Sequence, residues 1–291
     1  RAMSSAASDV YKRQFLLSLL FFWRKEKSVV PVVRLSGVIS SAPSLRRGLS
    51  LESIEPQLKK AFSVRSAKAV ALIINSPGGS PVQSALIGQR IRDLAGKADV
   101  PVLAFCEDVA ASGGYWIAAS ADKIYANGAS VIGSIGVVSA GFGFDRAIEK
   151  IGVDRRVYTA GRNKMILDPF QPQRDEEVER LKALQVDIHQ QFIDHVLDRR
   201  GARLQEPHDD LFSGAFWTGQ RAVDLGLIDG LGECRQVLRE RFGEDINFMF
   251  IEPKRKFLAG LGGLPGSLAG GIVDEAAEIA TEKAMLSRFG L

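Results

Sequence analysis

The sequence is poor in the side chains that most often bind metals or form disulfide frameworks. Among its 291 residues there are two cysteines and three histidines. Cys106 and Cys234 lie far apart and fit no zinc-ligand spacing, so we predict that both are small core residues. The composition therefore favours neither a disulfide scaffold nor a zinc site, and we expect no metal and no cofactor.

The scarcity of histidine also limits the choice of catalytic base. His189 and His195 lie six residues apart on one predicted helix, so they do not share a face as metal ligands would. His208 adjoins Asp209 and Asp210, which is typical of a solvated helix start. None of the three has a recognisable triad context, and no G-x-S-x-G sequence occurs. The sequence therefore argues against a Ser-His-Asp hydrolase.

Nucleotide-binding motifs and a strong charge bias are absent as well. No G-x-G-x-x-G follows a predicted strand, and no G-x-x-x-x-G-K-[ST] occurs. The formal charge is +4 and the pI is about 9.1, with acidic and basic residues mixed along most of the chain. We therefore predict no nucleic-acid partner.

The apolar run near the start of the sequence is short. Phe15–Trp23 has nine residues, whereas a membrane-spanning helix needs about 20. The basic cluster Arg24–Lys27 follows, without a signal-peptide cleavage site. We expect residues 15–28 to lie at an anionic membrane surface, to end a longer anchor, or to pack on the domain or a partner chain. Residues 1–14 have no apolar period and are expected to be a non-native or disordered scar.

Short apolar strands alternate with helical stretches from Val29 onward, which predicts an α/β domain. We expect this main domain to occupy residues 29–255, and a glycine-rich linker with a last helix to follow at 256–291. The predicted strands cover Val29–Leu35, Ala69–Ile74, Val102–Phe105 and Lys123–Ala126, and the predicted helices cover Leu51–Phe62, Val82–Leu94, Ser112–Ala119 and Arg174–Arg199.

Two of the predicted strands end in glycine-containing turns that lead into helices. One turn is Asn75–Ser80, and the other contains Ser112 within the sequence AASGG at 110–114. The repeated order of strand, glycine turn and helix predicts that both turns present backbone N–H groups at one edge of the sheet.

A serine among small residues and a distant lysine form the candidate catalytic pair. The small neighbours of Ser112 leave space for a substrate carbonyl, and Lys164 can accept the hydroxyl proton if burial keeps its amine neutral. A free lysine, with a pKa of about 10.4, is almost always charged at neutral pH. Gly113, together with Gly78 and Gly79, is the candidate oxyanion and substrate-binding element. The alternatives are a surface lysine and a serine that only caps a helix.

These elements occur in the order found in a known peptidase family. Over about residues 29–250 the chain resembles the signal peptide peptidase A family in its short, single-repeat form. The family's nucleophile motif S-G-G-Y falls on 112–115, its G-x-x-K segment on 161–164, its N-S-P-G-G turn on 75–79, and its closing region on 217–222 and 226–229.

The resemblance implies a fold, an activity and an assembly. The fold is of the Clp-protease/crotonase type, with stacked ββα units and outer helices. The activity is that of a serine endopeptidase with a Ser112–Lys164 dyad, which cleaves hydrophobic peptides such as remnant signal peptides. The assembly is a homo-oligomer whose active sites are completed between subunits, associated with the bacterial inner membrane. Many members have a full membrane anchor, whereas here only Phe15–Trp23 is present.

Three other functions fit parts of the sequence. A crotonase-type acyl-CoA enzyme would place paired carboxylates near the oxyanion glycines, and none adjoins Asn75–Ser80 or Ser112. An inactive, membrane-associated oligomeric scaffold would have an unreactive Ser112. A phage head-maturation protease would have a scaffold-like tail and no apolar start.

Overall fold

A parallel-rich sheet of eight strands forms the centre of the molecule. The computed structural model describes residues 28–41, 48–205, 209–253, 280 and 283–290. Neighbouring strands follow the order β6-β5-β3-β2-β1-β8, with β4 beside β3 and β7 beside β4, and every pair is parallel except β5 with β6. The strands are β1 Val29–Ser36, β2 Val70–Ser76, β3 Val102–Ala111, β4 Lys123–Ala126, β5 Val131–Gly133, β6 Phe216–Thr218, β7 Gly230–Leu231 and β8 Asn247–Phe250.

Helices cover both faces of this sheet, as the continuous apolar runs of β1 to β3 require. One core cluster lies between the sheet and helices α1 to α3, and a smaller cluster lies under α7 on the opposite face. The helices are α1 Leu51–Phe62, α2 Pro81–Ala98, α3 Gly113–Ala119, α4 Asp145–Lys150, α5 Asp175–Arg200, α6 Gly219–Asp224 and α7 Cys234–Phe242. Residues 283–287 are also helical.

The predicted elements occur where the sequence places them, and one strand is longer than predicted. Strand β3 continues past Phe105 to Ala111, although its middle carries exposed charge. Its pairing with β2 is irregular there, and the side chain of Asn75 fills the gap. The Asn75 Oδ1 atom accepts from the amide of Val109 at 3.2 Å, and Nδ2 donates to Asp108 at 2.8 Å. The Asn75 side chain thus supplies hydrogen bonds where the pairing of β2 and β3 is irregular, and β3 continues as far as Ala111, directly before Ser112.

Strand β3 divides the sheet at this irregularity. Residues 103–106 pair with β4, whereas residues 109–111 pair with β5. The end of β3 is therefore separated from β4 and lies beside β5 and β6, and the Ser112 turn emerges on this branch of the sheet.

The long helix α5 buries its apolar side chains mainly in its second half. Phe192 and Val196 are buried, whereas Leu184 and Val186, earlier in the helix, are 55% and 65% exposed. The second half braces α3, since the Phe192 ring stacks on Trp116 with the centroids 4.8 Å apart.

The two cysteines are core residues, as predicted. Cys106 and Cys234 are both buried and unpaired. Burial raises the pKa of each thiol to about 12, so neither forms a thiolate readily.

The observed architecture confirms an α/β fold of the predicted kind, with a parallel-rich sheet and outer helices. Within the described residues, no helix combines the length and apolar character needed to cross a membrane. The predicted scar at 1–14, the apolar run at 15–23 and the glycine-rich linker at 260–271 lie outside the described residues.

Candidate active site

Ser112 occupies a strained turn between β3 and α3. Its backbone has φ of 50° and ψ of −122°, a region that residues with a side chain rarely adopt. The conformation is held from both sides, because the Ser112 amide donates to Gly133 O at 2.8 Å and its carbonyl accepts from the amide of Trp116 at 3.0 Å. Although Ser112 stands at the cap position of α3, its hydroxyl makes no capping hydrogen bond. The hydroxyl is therefore left available for chemistry.

The turn after β2 lies directly against Ser112. A Cβ atom on Gly78 would come within 2.8 Å of both Ser112 Cβ and Gly113 N. A Cβ on Gly79 would lie 2.1 Å from Ile39 O, and both glycines have positive φ. The structure thus brings the two predicted glycine turns together, and only glycine fits at these positions.

The amides of this region differ in their partners. The Gly78 N–H already donates to Ser76 Oγ at 3.2 Å. For the N–H groups of Gly79 and Gly113, no acceptor occurs among the residues that the structure describes. Two free donors on adjacent turns beside a serine hydroxyl are the arrangement that stabilises an oxyanion.

A cavity of about 730 Å³ opens in front of Ser112. Its described lining contains no aspartate or glutamate, and its ionisable side chains are His189 and Arg288. Apolar groups and serine hydroxyls make up most of the remaining walls. Besides Ser112, the lining includes Val38, Ile39, Pro77, Gly79, Ser134, Val137, Val138, Ser213, Met285 and Phe289.

Lys164 does not reach this cavity within one chain. It is exposed, on a loop between α4 and α5, and it is not among the lining residues. The loop is nevertheless anchored, because the Glu177 carboxylate accepts from the amide of Leu167 at 3.0 Å and Asp168 accepts from Arg155 at 3.2 Å. The hydrogen bond from the Leu167 amide holds the pKa of Glu177 below its usual range, and Arg174 contributes in the same direction.

Several residues at this site escaped sequence reasoning. His189 lines the cavity, and its Nε2 donates to Ile135 O at 3.0 Å. Ser134 follows β5 with a positive φ, and Met285, Arg288 and Phe289 come from the far end of the chain. No local pattern marks these residues: the pairing of β5 brings Ser134 to the site and the docking of α5 brings His189, while Phe289 packs edge-on against Phe216 of β6 with the ring centroids 5.1 Å apart.

The described residues contain no group of three or more histidine, cysteine or acidic side chains that could hold a metal ion. The chemistry available from the described residues is that of the serine, the backbone amides and the cavity walls. This combination on an α/β scaffold defines the site as that of a serine hydrolase.

Comparison with known proteins agrees with this class. The model of peptidase family S49 matches residues 95–242, a segment that contains both Ser112 and Lys164. The chain therefore belongs to peptidase family S49, a family of serine peptidases, and the predicted kinship with signal peptide peptidase A is confirmed.

Two relatives illustrate the range of proteins that contain such a segment. A putative signal peptide peptidase SppA of Enterococcus faecium is 32% identical over 182 residues, which is 62% of this chain and 52% of that protein. A protein of Brucella abortus named Na(+)/H(+) antiporter NhaA is 52% identical over 279 residues, which is 92% of this chain but 38% of that protein. The chain thus spans roughly half or less of the length of these relatives.

Among solved structures, a mutant of the membrane-bound stomatin-specific protease 1510-N is similar to this chain. It is 15% identical with a TM-score of 0.46, and the match covers 78% of this chain and 99% of that one. At that TM-score the likeness is not evidence for the fold, which is established by the strands and helices described above.

Proposed function

We propose that this protein is a serine endopeptidase in which Ser112 is the nucleophile and Lys164 of a neighbouring subunit is the general base. The observation that carries the proposal is the strained Ser112 turn, with a hydroxyl free of capping bonds and the free amides of Gly79 and Gly113 beside it. Strain of this kind persists at functional sites because the surrounding structure holds it in place.

In the proposed reaction, Ser112 Oγ attacks the peptide carbonyl while the neutral Lys164 amine takes the hydroxyl proton. The amides of Gly79 and Gly113 stabilise the negative charge on the carbonyl oxygen. Lys164 then returns the proton to the leaving amine, and water attacks the acyl-enzyme to release the second product. The chemistry requires no metal or cofactor.

A base from a second subunit is supported by where Lys164 lies. It is exposed, absent from the cavity of its own Ser112, and held on a loop anchored by Asp168 and Glu177. The segment of chain that leads to Lys164 also exposes large apolar side chains, with Phe142 81% and Tyr158 91% exposed. Burial of this surface against a second copy would remove water from the amine and favour its neutral form.

The proposed substrates are hydrophobic peptides, such as remnant signal peptides. Support comes from the cavity walls, which carry apolar side chains and no described carboxylate. The name of the Enterococcus faecium relative points to the same substrate class. We further propose that the apolar and basic segment at 15–28 associates the protein with the bacterial inner membrane.

The shared site is tested with two inactive variants. Ser112→Ala and Lys164→Ala should each abolish cleavage of a hydrophobic peptide, and Lys164→Arg should also be inactive because guanidinium stays protonated. Ser112→Ala and Lys164→Ala subunits, unfolded together and reassembled in equal amounts, should recover about a quarter of wild-type activity, since random mixing pairs an intact serine with an intact neighbouring lysine in about one site in four.

Two outcomes would contradict the proposal. If the mixture recovers no activity, the base is either Lys164 of the same subunit or a residue other than Lys164. Full activity of either single variant would exclude the dyad. Lys97→Ala is the matched control, because Lys97 is an exposed lysine in the last turn of α2, outside the segment that carries Lys164, and its activity should equal that of the wild type.

A further inference from the structure

The carboxyl end of β5 forms one wall of the Ser112 cavity. The Gly133 carbonyl accepts from the Ser112 amide at 2.8 Å, and the Ser134 amide donates to Ala215 O at 2.7 Å. Beyond these bonds the chain leaves the sheet and lines the cavity with Gly136, Val137 and Val138. We call residues 134–138 the β5 wall.

Within the β5 wall, the bond to His189 holds the peptide that joins Ile135 to Gly136. Its carbonyl is Ile135 O, and this atom lies 3.0 Å from His189 Nε2. Because a carbonyl oxygen can only accept, the Nε2 atom carries the proton. The Ile135 side chain is fully buried, whereas Gly136 has no side chain to restrict the peptide. Loss of the His189 bond would therefore leave the carbonyl free to turn.

Helix α5 is itself fixed to the helix that follows Ser112. The Trp116 ring of α3 is stacked on Phe192 and on His195, with centroids 4.8 Å and 4.9 Å apart. His195 Nε2 also donates to Trp116 O at 3.0 Å. One helix thus contacts α3 through two rings and the β5 wall through His189.

We infer that His189 is a positioning residue that fixes the β5 wall against α5 and so sets the substrate-binding surface beside Ser112. The role rests on the peptidase function proposed above. His189 acts through the Ile135 carbonyl, whereas the nucleophile is held separately by Gly133 O and Trp116 N. Its loss should therefore weaken substrate binding more than it slows the chemical step.

The test compares His189→Leu with His189→Gln in the full-length protein. Leucine cannot donate, so the KM for a hydrophobic peptide should rise about five- to tenfold, the effect of one lost hydrogen bond, while kcat stays within about twofold. Glutamine places an amide N–H near the position of Nε2 and should restore most of the KM. A serine-directed covalent probe should label Ser112 at the wild-type rate in both variants.

Gln191→Leu is the matched control, since Gln191 is exposed on the same helix. A fall of kcat and probe labelling together with the change in KM would overturn the inference, as would equal behaviour of the leucine and glutamine variants. An unchanged KM in His189→Leu would overturn it as well.

Failure of the peptidase function itself is recognised separately, by the absence of peptide cleavage and probe labelling in the wild type. In that case amide hydrogen exchange tests whether His189 positions the β5 wall. Faster exchange of the amides at 134–138 in His189→Leu than in His189→Gln would support the positioning role, and equal exchange would overturn it.

Discussion

At the scale of single residues, Ser112 combines a functional position with an unfavourable backbone. Its φ of 50° with ψ of −122° is accessible to glycine and costly for residues with a Cβ atom. Such conformations cost roughly 1–3 kcal/mol, and they are retained where the arrangement of a reactive group depends on them. The strain aims the hydroxyl away from the α3 cap and toward the cavity.

This strain predicts an unusual order of stability. Ser112→Gly should be more stable than Ser112→Ala by about 1 kcal/mol or more, although both variants lack the hydroxyl. Urea denaturation of the two variants measures the difference. Ser63 provides the control, because its φ is −83° and its ψ −6°. At position 63 the glycine variant should be less stable than the alanine variant. The same order at position 112 would show that the Ser112 backbone is not strained.

At the scale of elements, α5 is the helix that joins the parts of the site. Leu184 and Val186 in its first half are exposed, and its second half holds α3 through Trp116. His195 lies at this contact, and burial, the largest cause, lowers the pKa of its imidazole despite the hydrogen bond to Trp116 O. A proton on His195 is therefore unfavourable in the folded protein.

The sign of the resulting pH dependence follows from proton binding. The unfolded chain binds the His195 proton below about pH 6.5, whereas the folded chain binds it only at lower pH. The His195 contribution to stability is thus complete above about pH 6.5 and is lost as the pH falls toward the folded pKa.

We therefore expect the wild type to lose stability relative to His195→Gln as the pH falls from 7.5 to about 5. The slope attributable to His195 is at most about 1.4 kcal/mol per pH unit. Urea denaturation of both proteins at several pH values measures it. Parallel curves for the two proteins would show that His195 is not coupled to folding.

At the scale of the whole molecule, the segment from Val138 to Lys164 is a long, poorly covered stretch of the described chain. Most of its residues are exposed, including Phe142, Ile151 and Tyr158. Exposed apolar side chains of this size are costly in a monomer, and they are typical of surfaces that bind another protein. A second copy covering this segment would also place Lys164 at a subunit junction.

We expect Tyr158→Glu to weaken self-association and to reduce peptide cleavage in parallel, while the subunit remains folded. A buried, unpaired carboxylate at an interface disfavours association, whereas in a free subunit Tyr158 is 91% exposed and tolerates the change. Sedimentation velocity over a range of protein concentrations measures the assembly, and circular dichroism measures the fold.

Val186→Glu serves as the comparison, because Val186 is 65% exposed on the first half of α5, outside this segment. Its assembly should match that of the wild type. A Tyr158→Glu protein that assembles and cleaves normally would exclude this segment from the interface.

The sequence by itself determined the α/β class, most of the strands and helices near the site, and the two glycine turns with Ser112 at one of them. These features depend on apolar periodicity, on turn residues and on the order of motifs, all of which are local in the chain. The bounds of α1 are identical in prediction and structure, since Ser50 caps the helix with its partner Ser53.

Only the tertiary structure decided how far β3 extends, which residues line the cavity and where Lys164 lies relative to Ser112. The extension of β3 depends on the contact of Asn75 with Val109 and Asp108, and the position of His189 depends on the docking of α5. These are contacts between residues distant in sequence, whose energies come from packing and pairing rather than from local preference. For the same reason, the sequence left both a buried and a surface position open for Lys164, and only the folded chain shows that it is exposed and away from the cavity of its own Ser112.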